Sequence, residues 1–221
     1  MSEPTDLDQL LALLTAAGAK SADQVLKAEM AKWTYMGGKR VRILPLPKAR
    51  KDAPTTVHRV KVTLYGSKPP IWRRLDIPSA TTLDLIHETM LIAFGWFGMH
   101  LHSFETPYGT FGPPDSDDFD EPTMNERKAS LGQVASEAQA KVIYTYDFGD
   151  DWRHDIVIEE ILPATPDVTY PRCVAGRRQA PAEDSGGISA ANEENEEEPF
   201  DADEITAALA DLPTSRKNRY P

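Results

Sequence analysis

Cysteine is nearly absent: Cys173 stands alone among 221 residues, so no internal disulfide can form and a reducing compartment, the cytoplasm, is expected. Long apolar runs are missing too. The longest, Leu10 to Ala19, is far short of the roughly 20 residues a helix needs to cross a bilayer, so no membrane association is expected. The amino terminus, acidic and without a basic segment ahead of an apolar run, lacks the pattern of a secretory signal. Basic residues are absent from Glu183 to Asp211, where Glu and Asp crowd together. Most of the net charge of −11 therefore lies in one segment, and the rest of the chain is close to neutral. A phosphate-cradling loop is also lacking, because Gly186 and Gly187 are followed by no Lys-Ser/Thr pair.

What is present divides the chain. Residues 1–36 hold two helix starts of the capping-box kind, at Thr5 and Ser21, and read as a small helical extension. Residues 37–56 collect Gly37, Gly38, three prolines and the bases Lys39, Arg40, Arg42, Lys48, Arg50 and Lys51, a linker composition. No aromatic residue interleaves those bases, so a solvated tether is the expectation there. DNA contact finds no support in the core and is left only to this linker.

From residue 57 to 187 the pattern is that of one α+β core. Val60, Val62 and Leu64 alternate with Arg59, Lys61 and Thr63, and Ile71 to Ile77 returns as a second strand. A helix follows, with Leu83, Ile86, Met90 and Phe94 on one stripe and Gly95 as its stop. Further strands are expected at Met99 to Glu105 and Tyr108 to Phe111, with a short helix between Ser130 and Ala140. A hairpin closes the core: Tyr144 and Tyr146 lead into the turn Asp147–Asp151, and Trp152, His154, Ile156 and Ile158 share one face of the strand that leaves it. The expected sheet is mostly antiparallel or mixed, packed by helices, in a β-grasp-like order. Residues 188–221 read as an acidic, mobile tail with a short helix from Asp201 to Leu212.

Chemistry concentrates at the closing hairpin. His100 and His102 are two residues apart, which in a strand puts both imidazoles on one face, about 7 Å apart at the backbone. With Asp147, Asp150 and His154 they form an expected nitrogen and oxygen ligand set for one divalent cation, zinc, manganese or iron. Glu183 and Asp184 would add a further ligand or proton acceptor, and Trp96 and Trp152 the walls of the pocket. A competing reading gives Asp147 and Asp150 only the task of capping the turn. His87 lies on the apolar helix stripe and reads as a core or boundary residue, and Cys173, with no base nearby in sequence, as buried and inert.

Five segments carry a resemblance: Lys68–Arg74 (KPPIWRR), Gly95–Trp96 leading to His100–His102, Tyr146–His154 (YDFGDDWRH), Tyr170–Cys173 (YPRC) and Glu183–Gly187 (EDSGG). In this order they resemble the plasmid pRiA4b ORF-3-like family, some of whose members are labelled resolvase-like or passenger proteins of an insertion element. The resemblance runs from about Val57 to Leu212 and implies an α+β domain of unsettled role, associated with plasmids or mobile elements. The chain departs from the family pattern at Ala180 and Ser185, where cysteines are usual, at Ala182 for the second proline, and at Ala190–Ala191 for a Gly-Tyr pair. A thiolate metal site is therefore not expected. Nor does the chain assemble the nucleophile and arginine cluster that strand exchange needs. Three functions remain open: a cytoplasmic binding or accessory domain whose polar His/Asp pocket holds a metal, a metal-assisted hydrolase, or an interaction module that meets a protein partner through the amino-terminal helices or the acidic tail.

Overall fold

The computed structural model describes residues 32–49, 55–114, 123–194 and 200–212. The helices expected before Lys32 lie outside the described residues. Trp33–Met36 (β1) and Lys39–Arg42 (β2) pair antiparallel about Gly37 and Gly38, both at positive φ. A linker was the expectation for 37–56; instead two glycines in the left-handed region make a two-residue hairpin turn, and its strands dock on the core.

The main sheet is built from Thr56–Leu64 (β3), Trp72–Pro78 (β4), His102–Thr106 (β5), Gly109–Gly112 (β6), Met124–Asn125 (β7), Lys141–Tyr146 (β8), Trp152–Pro163 (β9) and Arg172–Arg177 (β10). Their order across the sheet is β10-β4-β3-β9-β8-β5-β6-β7. All neighbours run antiparallel except β6 and β7, so the sheet is mixed. The opening strand–strand–helix and the central place of β3 beside the closing hairpin are the β-grasp-like features; β3 and β9 run antiparallel.

The helix Leu83–Phe94 (α1) covers one face, and Gly95 ends it in the left-handed conformation with its amide on Ile92 and Leu91 carbonyls. Its buried stripe Leu83, Ile86, Met90 and Phe94 joins Val60, Val62, Phe104, Tyr144, Tyr146, Trp152, Ile156 and Ile158 in one core cluster. Burying one face of a strand forces the period of two, and β9 shows it: Trp152, His154, Ile156 and Ile158 are buried while the residues between them are half-exposed. The β1–β2 hairpin sits on the other face. Thr34 Oγ1 meets Thr110 Oγ1 at 3.0 Å, and the Gly37 amide donates to Glu105 at 2.9 Å.

A 3₁₀ turn, Glu126–Lys128, a short helix, Leu131–Val134 (α2), and two more, Gly187–Glu194 (α3) and Ala202–Leu209 (α4), complete the described elements. Residues 200–212, expected within a mobile tail, are held against β10. The Thr206 hydroxyl donates to the Cys173 carbonyl at 2.9 Å and accepts the Cys173 amide at 3.0 Å, while Leu209 is buried. Burial lifts the Cys173 thiol to about 11, which leaves it protonated and unreactive at neutral pH. Among the described residues no helix is long and apolar enough to cross a membrane.

Candidate metal centre

The β8–β9 turn positions the first carboxylate. Asp147 adopts φ 55° and Asp151 φ 52°, a conformation that short polar side chains tolerate by bonding to nearby backbone. One Asp147 oxygen, Oδ1, does this, accepting the Gly149 amide at 2.9 Å and the Asp150 amide at 3.4 Å. The other, Oδ2, points away from the turn and stands 3.6 Å from His100 Nε2. Asp147 thus caps the turn with one oxygen and offers the second to the site.

Residues 181–187 arrive from the far side as a loop tied down at three points. Trp96 Nε1 donates to the Pro181 carbonyl at 2.9 Å, Glu183 receives the Phe97 amide at 2.6 Å, and the Gly186 amide donates to Asp150 Oδ2 at 3.0 Å. The Tyr146 hydroxyl also donates to Glu183, and the Met99 amide approaches the same carboxylate at 3.4 Å. Burial alone would raise the Glu183 carboxyl, but these hydrogen bonds and the neighbouring His100 hold it below its usual value. Burial and the same Glu183 contact push the Tyr146 hydroxyl well above its ordinary value, so Tyr146 remains the donor.

This anchoring sets Asp184, at φ 59°, with Oδ1 2.9 Å from His100 Nε2, and leaves Glu183 Oε1 3.8 Å from the same atom. Ligand atoms of His100, Asp147 and Asp184 all lie within 4.8 Å of one another. His100 Nε2 is screened from solvent, yet makes no hydrogen bond of adequate geometry among the described residues, despite the nearby Asp184 oxygen. The Asp184 oxygen stands at ion-pair distance from it without hydrogen-bond alignment. Three carboxylates, of Asp147, Glu183 and Asp184, converge on this one nitrogen.

Not every residue expected at the site reaches it. His102 opens β5, whereas His100 lies on the bend before the strand begins, so the rule that alternate residues share a face does not reach back to His100. His102 turns under α1, with Nε2 2.7 Å from Glu126 Oε2 and its ring stacked on His87 at 3.5 Å between centroids. His87 Nδ1 in turn meets the Tyr144 hydroxyl at 2.8 Å. His154 is fully buried against Phe94 and Trp96, with Nδ1 2.9 Å from the Trp152 carbonyl. Asp150 spends its carboxylate on the Gly186 amide, and Trp152 lies in the core rather than in a pocket wall. Trp96 stacks on Tyr146 with centroids 5.4 Å apart and so supports the site from beneath. Sequence reasoning did not foresee the Tyr146–Glu183 contact, which joins β8 to a loop 37 residues on. A cavity of about 200 Å³ lies elsewhere, between α1 and α4 over Arg73 and Phe200. The His100 cluster lies at the surface, with His100 part-exposed and Asp184 exposed.

Three comparisons bear on the chain. The family model described as "Plasmid pRiA4b ORF-3-like protein" matches residues 56–203. An uncharacterized protein of Sinorhizobium fredii is 35% identical over 157 residues, covering 71% of this chain and 74% of the relative. The crystal structure of a protein of unknown function from Methanosarcina mazei Go1 superposes with a TM-score of 0.59 at 34% identity, covering 65% of this chain and 81% of that one.

Proposed function

The chain belongs to the plasmid pRiA4b ORF-3-like family, and from that premise we propose that its α+β core is a binding domain that holds one divalent cation between His100, Asp147 and Asp184, with Glu183 beside them. The observation that carries the reading is His100 Nε2, a solvent-screened nitrogen with no adequate hydrogen bond and carboxylate oxygens at 2.9, 3.6 and 3.8 Å. One imidazole and two or three carboxylates suit manganese, zinc or iron(II). Tyr146 and the Phe97 amide act at one remove, fixing Glu183 as outer-shell partners fix a ligand.

Calorimetric titration of the metal-free, full-length chain with Mn²⁺ and Zn²⁺ tests this. One ion per chain is expected, weakened roughly 100-fold or more in His100→Ala, which removes the ligating nitrogen, and roughly 10-fold or more in Asp184→Asn, which removes a ligand's charge. His102→Gln can keep the Glu126 contact and should bind the ion within about threefold of the parent, because His102 holds the core rather than the ion. Absence of any binding, or loss in folded His102→Gln equal to that in His100→Ala, would sink the assignment.

Openness favours a second reading, metal-assisted hydrolysis. Among the described residues three side chains converge closely, and Asp184 is 71% exposed, which leaves coordination positions for water and substrate, as in catalytic rather than structural centres. A divalent ion supplies Lewis acidity there. Turnover of simple nitrophenyl esters or phosphoesters by the metal-loaded chain, abolished in Asp184→Asn, would select this reading over plain binding.

A further inference from the structure

The β1–β2 hairpin lies before the family match and takes no part in the site. In an antiparallel pair, residues directly opposite share a face. The register pairs Trp33 with Arg42 and Tyr35 with Arg40 on one face, and Thr34 with Val41 and Met36 with Lys39 on the other. The second face is seated. Thr34 is buried against Thr110, the Gly37 amide is bound to Glu105, and just after β2 the chain is pinned twice more, by Leu44 N to Pro107 O at 2.8 Å and by Gln133 Nε2 to Pro47 O at 2.6 Å.

The first face therefore looks outward from a fixed base. Trp33 is 41% and Tyr35 49% exposed, Arg40 and Arg42 are exposed, and the Arg40 guanidinium lies 5.0 Å from the Trp33 ring centroid. Residues 32–49 hold Lys32, Lys39, Arg40, Arg42 and Lys48 and not one Asp or Glu, in a chain whose net charge is −11. Neither Arg40 nor Arg42 has a carboxylate at ion-pair distance among the described residues. Two exposed aromatic rings about 7 Å apart at the backbone, each opposite a guanidinium, offer flat faces for unpaired bases and cations for the phosphates between them. A duplex hides its base faces from such rings, and a lipid surface would call for aliphatic side chains where Arg40 and Arg42 stand.

We propose that this hairpin is a binding platform for single-stranded nucleic acid, with bases stacked on Trp33 and Tyr35 and phosphates met by Arg40 and Arg42. No aromatic residue interleaves the bases within 37–56 itself; the pairing of β1 with β2 supplies the rings from the neighbouring strand.

The test uses the full-length chain and a fluorescently labelled oligo(dT) of about 15 nucleotides, read by anisotropy at about 50 and about 200 mM salt. Binding is expected to weaken with salt, and Trp33→Ala/Tyr35→Ala to reduce affinity about tenfold or more. Arg40→Gln/Arg42→Gln should lower the slope of log K against log salt by about 1.4, at about 0.7 per phosphate contact on a single strand. Arg177→Gln, an exposed base at the opposite edge of the sheet, should change neither. The two double variants act on different quantities, affinity and salt slope, and far-UV circular dichroism shows each to be folded. No binding by the parent at low salt, a blunt duplex bound as tightly as the single strand, or full affinity and slope in both double variants would overturn the proposal.

Discussion

His154→Leu is expected to flatten the acid limb of the stability curve between pH 6.5 and about 3. His154 is fully buried, and burial drives its imidazole from 6.5 down to about 3, against the smaller upward pull of its backbone hydrogen bonds. The unfolded chain takes up a proton on this residue at about 6.5, whereas the folded chain refuses it until about 3, so between those values the unfolded state binds more protons. Stability from this group is thus complete above pH 6.5 and drains away as pH falls towards 3. At about 1.4 kcal/mol per pH unit, the full descent amounts to about 5 kcal/mol, a large share of a small domain's total. His58, also lowered by burial, adds a slope of the same sign. The Asp76 carboxyl, which burial would raise but the Arg59 and Arg172 contacts hold below its usual value, adds another only at lower pH. Urea melts of parent and variant at about pH 7.5, 6.5, 6 and 5.5 isolate the His154 share above the carboxylate range. Lost hydrogen bonding to the Trp152 carbonyl should cost the variant roughly 1 kcal/mol at neutral pH. The curves should therefore start apart and converge or cross on acidification. Parallel curves would mean that His154 is not held neutral by its surroundings.

The same residue shows why the closing hairpin was legible in the chain. Alternation of Trp152, His154, Ile156 and Ile158 is a local signal, fixed by a strand with one buried face, and it needs no knowledge of distant residues. The α1 stripe and its glycine stop are local in the same way. His102 was not legible, because its fate depends on Glu126, 24 residues on and beyond the next two strands. Its spacing from His100 suggested a shared face only if the strand already ran through both. The β1–β2 hairpin carried a signal that the basic composition masked: paired glycines between two alternating stretches are a hairpin turn, whatever the charge of the residues around them. At the site, the residue types were readable but their division of labour was not. Asp147 and Asp150 look alike in the turn, yet the left-handed backbone at Asp147 leaves Oδ2 facing His100, while Asp150 is drawn to the Gly186 amide by a loop that sequence reasoning left irregular.

Gly187→Ala is expected to separate the two halves of that site. A Cβ at Gly187 would stand 2.6 Å from the Asp150 carbonyl oxygen, a backbone atom with no rotamer to yield, and φ is +78°. Either the 183–187 loop lifts or the β8–β9 turn gives way, and both movements pull Asp184 from Asp147. Gly95 is the internal control. It has nearly the same φ, +74°, but a Cβ there meets nothing within 4 Å, so Gly95→Ala should cost only the left-handed penalty of about 1–2 kcal/mol. Gly187→Ala carries the same penalty plus the overlap, for a total of about 2–5 kcal/mol. The distinguishing quantity is metal affinity. Since Gly187 offers no side chain to an ion, a fall of roughly 10-fold or more in Gly187→Ala, with Gly95→Ala unchanged, would mean that the cation depends on the distance between loop and turn. Equal metal affinity in the two variants, alongside the larger loss of stability in Gly187→Ala, would instead place the ion away from Asp184. Destabilisation would then report on the Asp150–Gly186 contact alone.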